Sequence, residues 1–413
     1  MILDSAIGFR ACSAVLGVIH ELFPQLPTAP APNTVQSWLL RVGLHELQRP
    51  KEKAADWVVS IDYTLQLGAW KCLVVVGIRQ SLWEQLDRPV THHDLTLLAL
   101  EPVQKSGGDH VNRQLVAVAK QIGVPAAILS DEGSDLANGV AQFQEKHPQT
   151  KVFNDLAHKA AIFLKRELLA DPRWDAFVKY CGQTQPKVKQ TELGHLAPPT
   201  QKTKARYMNL GPLIRWGEKM LRLVDTPAPQ RPEELDLSRL DEKFGWIRDF
   251  RVALVEWNDL ETVKDQVLEY GRVQGYHVDA GEQLREQLAL IAQTLPGRRL
   301  ATALIEFAGD QSKCLERGQS FPASTEVLES LIGKGKRLQG QHSRGGFTHM
   351  ILGMAASVVQ ITHETIKQAL ENIRDIDLRD WCAKNLGPSL TAQRRQALPA
   401  IPEILTIPGT ETG

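Results

Sequence analysis

The sequence predicts an α/β fold: a mixed sheet with flanking helices, interrupted by a mostly α-helical insertion. Three observations predict it. Residues 57–103 hold three β-rich runs in succession. Residues 109–169 alternate helical periodicity with two short apolar runs. From 171 to 321 amphipathic helical patterns take over and strand signals become few. At 413 residues, 43% apolar and 23% charged, the chain has an ordinary globular composition and the length for two or three domains. Its formal net charge is zero, so any basic surface must be local.

Residues 1–50 read as a helical region. A helix over 5–22 is broken by four prolines between Phe23 and Pro32. NTVQSWLLRVGLHEL follows as a second helix, with Asn33 or Thr34 as cap and Val35, Trp38, Leu39 and Val42 on its apolar face. Two helices around a short break are either a packing unit or part of a helix-turn-helix-like pair, and the pattern alone leaves both open.

The first part of the core spans 51–170. WVVSIDYTLQL and WKCLVVVGIRQ are strands joined through Gly68-Ala69, a hairpin signal, and HDLTLLALEPV supplies a third. A helix capped by Asp109 runs to Ile122. Then come the strand VPAAILSD, the helix SDLANGVAQFQEK, the strand KVFND and the helix LAHKAAIFLKRELL. The two later strands alternate with helical crossovers, which makes them parallel members of one mixed sheet. That order is the layout of the ribonuclease H-like fold.

The insertion covers 171–321. Lys179 to Arg222 carries nine Lys/Arg against Glu192 and Glu218, whereas Arg231 to Glu269 carries eleven acids against six bases. The pattern fits one nucleic-acid-facing side, with Lys187, Lys189, Lys202 and Lys204 as candidate DNA contacts, or two solvated faces. Trp216, Trp246 and Trp257 read as core anchors ahead of base-stacking platforms. Residues 322–395 return to the core as C-terminal helices, and 396–413, rich in Pro, Thr and Gly, read as a disordered tail. The five cysteines show no paired spacing for zinc or redox work and read as small buried hydrophobes. The longest apolar stretch, 350–361, is too short to span a bilayer, and Asp4 and Arg10 interrupt any secretory pattern at the start.

Three acids carry the chemistry. Asp62 sits in the middle of the first strand and Asp131 at the carboxyl end of the fourth, where ligand sites in such sheets gather. A lone mid-strand aspartate is costly to bury, and two on adjoining strands repel unless a cation bridges them. PASTEVLESLIGKGKRLQGQHSRGG, residues 322–346, then holds Glu326 and Glu329, followed by Lys334, Lys336, Arg337 and Arg344. Glu326 follows Ser324-Thr325, which can cap a helix, and an acid in the first turn gains from the helix dipole. Glu329 lies a turn further in, beyond that explanation, and is the candidate third acid. Phosphodiester transfer can use two divalent ions, and Mg2+ (or Mn2+) prefers such oxygen ligands without a Cys/His cage. The four cations after the glutamates would hold substrate phosphates.

With these residues in view, the chain resembles the DDE transposases of insertion sequences, which use two aspartates and a glutamate on a ribonuclease H-like core. Asp62 in SIDYT corresponds to the first aspartate. Asp131 in AILSDEGSDL corresponds to the second, with Glu132 intervening before Gly133. Glu329 with its x6 spacing to Lys336 corresponds to the glutamate. In NDLAHKA, Asp155-x2-His158 is similar to the Cys/Asp-x2-His motif of hAT-like and Mutator-like transposases, which makes Asp155 and His158, with Glu326, accessory candidates. The resemblance implies two metal ions on Asp62, Asp131 and Glu329, and DNA at element ends and target as partner. It also implies homo-oligomeric assembly on DNA and a nucleoid-associated place in a prokaryotic-type cytoplasm. The chain departs from the pattern in having Ser324-Thr325 rather than a Tyr/Arg signature, and a short N-terminal region. The alternatives are a ribonuclease H-like nuclease or resolvase, and a domesticated inactive transposase kept for DNA binding.

Overall fold

The structure is a computed structural model and describes residues 2–5, 7–67, 70–200, 210–227, 237–342, 348–388 and 390–398. Five strands form its main sheet: β1 (Trp57–Leu67), β2 (Trp70–Arg79), β3 (Thr96–Val103), β4 (Ala127–Ser130) and β5 (Lys151–Asn154), in the order β3-β2-β1-β4-β5. The first three pair antiparallel, and β4 and β5 run parallel to β1. This is the ribonuclease H-like arrangement that the element order predicts. The turn at Gly68-Ala69 lies outside the described residues, but Leu67 pairs with Trp70 across it.

Alternation along β1 builds two cores. Trp57, Val59 and Ile61 face one side, against the helices Gly108–Ile122 and Ser134–Lys146. Val58 faces the other, larger core, which holds the helix Leu156–Leu169 and the insertion. Each such buried aliphatic side chain contributes about 1.5–3 kcal/mol, so a one-residue slip would exchange the two faces at prohibitive cost. The first crossover helix has Gly107 as its N-cap residue and Asp109 in its first turn, so Asp109 favours the dipole without capping.

The N-terminal helices run Phe9–Leu22 and Pro32–Gln48. Pro32 opens the second one, where a fixed φ suits the first turn, and neither Asn33 nor Thr34 caps it. Val35, Leu39, Leu40, Val42 and Leu44 are buried, whereas Trp38 is 40% exposed. This helix lies against Leu352–Ala356, His363–Asn372 and Asp375–Asn385. At the contact, a Cβ on Gly43 would stand 2.0 Å from the Leu352 carbonyl oxygen. The Arg41 guanidinium donates to the Leu370 and Ile373 carbonyls at the end of the facing helix. The segment expected as a helix-turn-helix-like unit is thereby stitched into the core by the C-terminal helices.

The insertion contributes Pro172–Val188, Leu210–Asp225, Leu237–Phe244, Arg251–Val273, Ala280–Ala289 and Leu295–Ser312, plus a ribbon of Tyr276–His277 with Ser320–Phe321. Trp257 is 1% exposed, and Trp216 and Trp246 pack partly buried on the same core. Their indole N–H groups donate to Asp171, Leu196 and Lys243 respectively, which fits core anchors. Cys12, Cys72 and Cys181 are buried as expected, but Cys314 is exposed. Lys202, Lys204, Arg344 and residues 399–413 lie outside the described residues. The helix Leu390–Ala397 runs two residues into the segment read as tail. Among the described residues no helix is long and apolar enough to cross a membrane.

Candidate active site

β1 and β4 pair in parallel register through Val58↔Ala127, Val59↔Ile128, Ser60↔Leu129 and Ile61↔Ser130. The next residues along the chain are Asp62, still within β1, and Asp131, the first residue past the end of β4. The alternation that buries Ile61 among the helices Gly108–Ile122 and Ser134–Lys146 turns Asp62 to the opposite face, that of Val58. Helix Glu326–His342 also meets β1, and its Leu328 and Leu331 share the core with Val58. The Asp131 carboxylate accepts the Gly133 N–H at 2.9 Å. A Cβ at Gly133 would stand 2.9 Å from the same oxygen, so a larger residue there would push the Asp131 carboxylate aside. Glu132, which intervenes in the motif, pairs with Lys159 at 2.5 Å and is turned to the helix Leu156–Leu169.

The glutamate helix is tied down at its start. Phe321 and Tyr276 of the ribbon pack on Phe153 of β5, with ring centroids 5.3 and 5.4 Å away. The Ala323 carbonyl accepts the Leu156 N–H at 2.9 Å. Thr325 Oγ donates to Oδ2 of Asp155, whose Oδ1 accepts the Ala157 N–H and caps the helix Leu156–Leu169. Asp155 and Thr325 are 2% and 3% exposed. Asp155, expected as an accessory residue, is thus a buried latch between β5 and the glutamate helix. His158 lies half-buried one turn further along.

The two glutamates have different surroundings. Glu326 takes a bidentate pair from Arg272 at 2.9 Å on each arm, and Ser324 Oγ accepts its N–H at 3.1 Å. Thr325, expected to share the capping, is engaged by Asp155 instead. Glu329 shares a helix face with Gly333, Lys336 and Gly340, and a Cβ on either glycine would meet nothing within 4 Å. Among the described residues nothing packs over those two glycines, and Lys336 beside them is exposed. The cations expected to act together are therefore divided. Lys336 accompanies Glu329, whereas Lys334 and Arg337 line a cavity with His92 and His93 of the β2–β3 loop. Lys187 and Lys189 are exposed on the insertion. Arg272, His92 and His93 were not legible as site residues, since they meet this helix from far away in sequence.

Carboxylates in register on one face suit a hard cation such as Mg2+. Among the described residues, however, no group of three or more His, Cys, Asp or Glu side chains stands close enough to hold a metal ion. Carboxylates brought together repel one another until a cation offsets their charge.

No family model matches the chain, and no curated protein matches its sequence. Among solved structures, the Drosophila P element transposase strand transfer complex is similar at 12% identity, over 88% of this chain and 96% of that chain, with a TM-score of 0.38. At that level the likeness carries no argument about activity, and what stands on this chain's own geometry is the ribonuclease H-like sheet order.

Proposed function

We propose that the chain is a metal-dependent polynucleotidyl transferase acting on DNA, a DDE transposase that cuts element ends and joins them to a target. The observation that supports the proposal is the parallel register of β1 and β4, which ends at Ile61↔Ser130, one residue before Asp62 and Asp131. In this reading Asp62, Asp131 and Glu329 hold two Mg2+ or Mn2+ ions, which when bound supply charge for the attacking and leaving oxygens. The Gly133 N–H orients Asp131. Lys336, on the open face of Glu329, holds a substrate phosphate. Lys187, Lys189, Lys202, Lys204 and Arg344 add sequence-independent attraction for the backbone, and the protein assembles as an oligomer on DNA.

The test uses the full chain with Mg2+ or Mn2+ and a labelled duplex, reading strand cleavage, strand transfer and metal binding by calorimetry. Asp62→Asn and Asp131→Asn should each abolish cleavage and weaken metal binding while leaving salt-dependent duplex binding intact. Cleavage at the wild-type rate in either variant refutes the proposal. Cleavage without strand transfer would indicate a nuclease or resolvase. A second reading, an inactive descendant kept for DNA binding, is favoured by the lack of a gathered three-carboxylate group among the described residues. It requires duplex binding with no cleavage under either metal.

A further inference from the structure

The helix Phe9–Leu22 turns its polar side towards its own chain and an apolar side to water. Phe9, Cys12 and Leu16 recur at helical spacing and pack on the core. The arc beside them is polar and is covered by the returning chain. Ser13 Oγ donates to the Pro30 carbonyl at 2.6 Å, and His20 Nδ1 to the Leu26 carbonyl at 2.8 Å. Between these two bonds, a Cβ on Gly17 would already stand 3.9 Å from Ala29. What remains facing outward is Ala11, Ala14, Val15, Val18 and Leu22, all exposed. A surface helix ordinarily reserves that side for polar and charged residues.

Ala11, Val15, Val18 and Leu22 are spaced four, three and four residues apart, the d-a-d-a seam of a coiled coil. Val15, Val18 and Leu22 are 43%, 55% and 69% exposed, and Phe23 and Leu26 extend the strip at 51% and 44%. Together these side chains leave about 500 Å² of apolar surface in water, the scale at which a patch marks an interaction site. Two such faces brought together would bury about 1,000 Å², roughly the least that a specific interface needs. The seam itself carries no charge with which to select an acidic or a basic partner. Its flank carries Arg10 and Glu21, both exposed, and among the described residues neither has an ion-pair partner. Antiparallel pairing about a two-fold axis sets Ala11 against the partner's Leu22 and Val15 against the partner's Val18. The same rotation brings Arg10 within one turn of the partner's Glu21, twice over. A parallel pairing would set like charges at the same level instead.

We infer that this face is a homodimer interface, formed by two copies of the helix Phe9–Leu22 packed antiparallel. The pairing needs neither nucleic acid nor metal, so it stands apart from the function proposed above.

Sedimentation velocity of the full chain, without DNA or metal, reads the association directly. Between about 1 and 100 μM the wild type should pass from the mass of one chain to that of two. Val18→Lys and, separately, Leu22→Gln should each raise the dissociation constant at least about tenfold. Both positions are exposed, and an unchanged far-ultraviolet circular dichroism spectrum identifies each variant as folded. Arg10→Glu and Glu21→Arg should each weaken the dimer about three- to tenfold, since each creates two like-charge contacts across the axis. Combined in one chain they exchange the charges and should restore the wild-type constant to within about twofold. A wild type that stays monomeric throughout, or a dimer indifferent to both Val18→Lys and Leu22→Gln, overturns the inference. A combined variant as weak as the single ones overturns it too, because the antiparallel pairing is what joins these two charges across the axis.

Discussion

Asp155→Ala tests whether the end of β5 holds the glutamate helix. In the folded protein Oδ1 of Asp155 caps the helix Leu156–Leu169 through the Ala157 N–H at 2.8 Å, and Oδ2 takes the Thr325 hydroxyl. Losing an N-cap costs about 1 kcal/mol. Losing a hydrogen bond from a buried hydroxyl to a carboxylate costs about 1.5–3 kcal/mol and leaves the Thr325 hydroxyl unsatisfied. The removed carboxylate no longer has to be desolvated, which offsets part of the loss. The expected net loss is about 3 kcal/mol, roughly a hundredfold in the folding equilibrium. Urea unfolding followed by tryptophan fluorescence reads it, with an unchanged slope marking an effect on stability alone. Thr325→Val completes a double-mutant cycle, and a coupling of at least about 1 kcal/mol is expected between the two sites. A loss below about 1 kcal/mol for Asp155→Ala, or strict additivity with Thr325→Val, would refute the latch.

Three further outcomes follow from the same geometry. Glu326→Gln should cost at most about 1 kcal/mol, because its pair with Arg272 is partly exposed, and should spare cleavage, whereas Glu329→Gln should abolish Mg2+-dependent cleavage and spare DNA binding; the reverse result in a cleavage assay would exchange their roles. Gly133→Ala should turn the Asp131 carboxylate out of its turn and depress cleavage at least about tenfold with little change in melting temperature, and an unaffected rate would show that this orientation is idle. Burial pushes the Lys51 ammonium down from 10.5 to about 8 against the opposing pull of Glu46, so the unfolded chain binds more protons between those values. Folding stability should therefore rise as pH climbs from about 8 towards 10.5, and Lys51→Met should remove that slope; identical melting curves against pH for both proteins would contradict it.

Much of the sheet was legible because its signals are local. The runs WVVSIDYTLQL and WKCLVVVGIRQ carry β-branched density, and the two short strands are bounded by helices with clear apolar periods. Strand order then followed from short connections and parallel crossovers. The rest depends on pairings that leave no periodic mark. Arg272 reaches Glu326 across 54 positions, and Lys334 reaches His92 across 242. Helix Pro32–Gln48 shows one apolar face to the reader, yet besides Phe9–Leu22 and β3 it packs on helices from 352–385, more than 300 residues on. Cys314 looked like its buried counterparts because composition alone carries no exposure.

The separation of Glu329 from the two aspartates by a long insertion has a physical consequence. A side chain meant to meet two others needs a rigid approach, and a chain returning from so long an excursion has no local means of providing one. The fold supplies it by closing the insertion onto β5. The ribbon of Tyr276–His277 and Ser320–Phe321 packs on Phe153, and Tyr276 donates its hydroxyl to the Asn154 carbonyl at 2.7 Å. Asp155, the next residue, seizes Thr325, and Arg272 at the end of the long insertion helix clamps Glu326. Strand end, insertion and glutamate helix thus meet within a few residues of one another. Glu329 sits one turn beyond this knot, near enough to inherit its orientation and on the face that the knot leaves open. In the proposed mechanism the insertion is accordingly a structural partner of the third acid, and loosening it anywhere between Arg272 and Thr325 should act on Glu329 before it acts on Asp62 or Asp131.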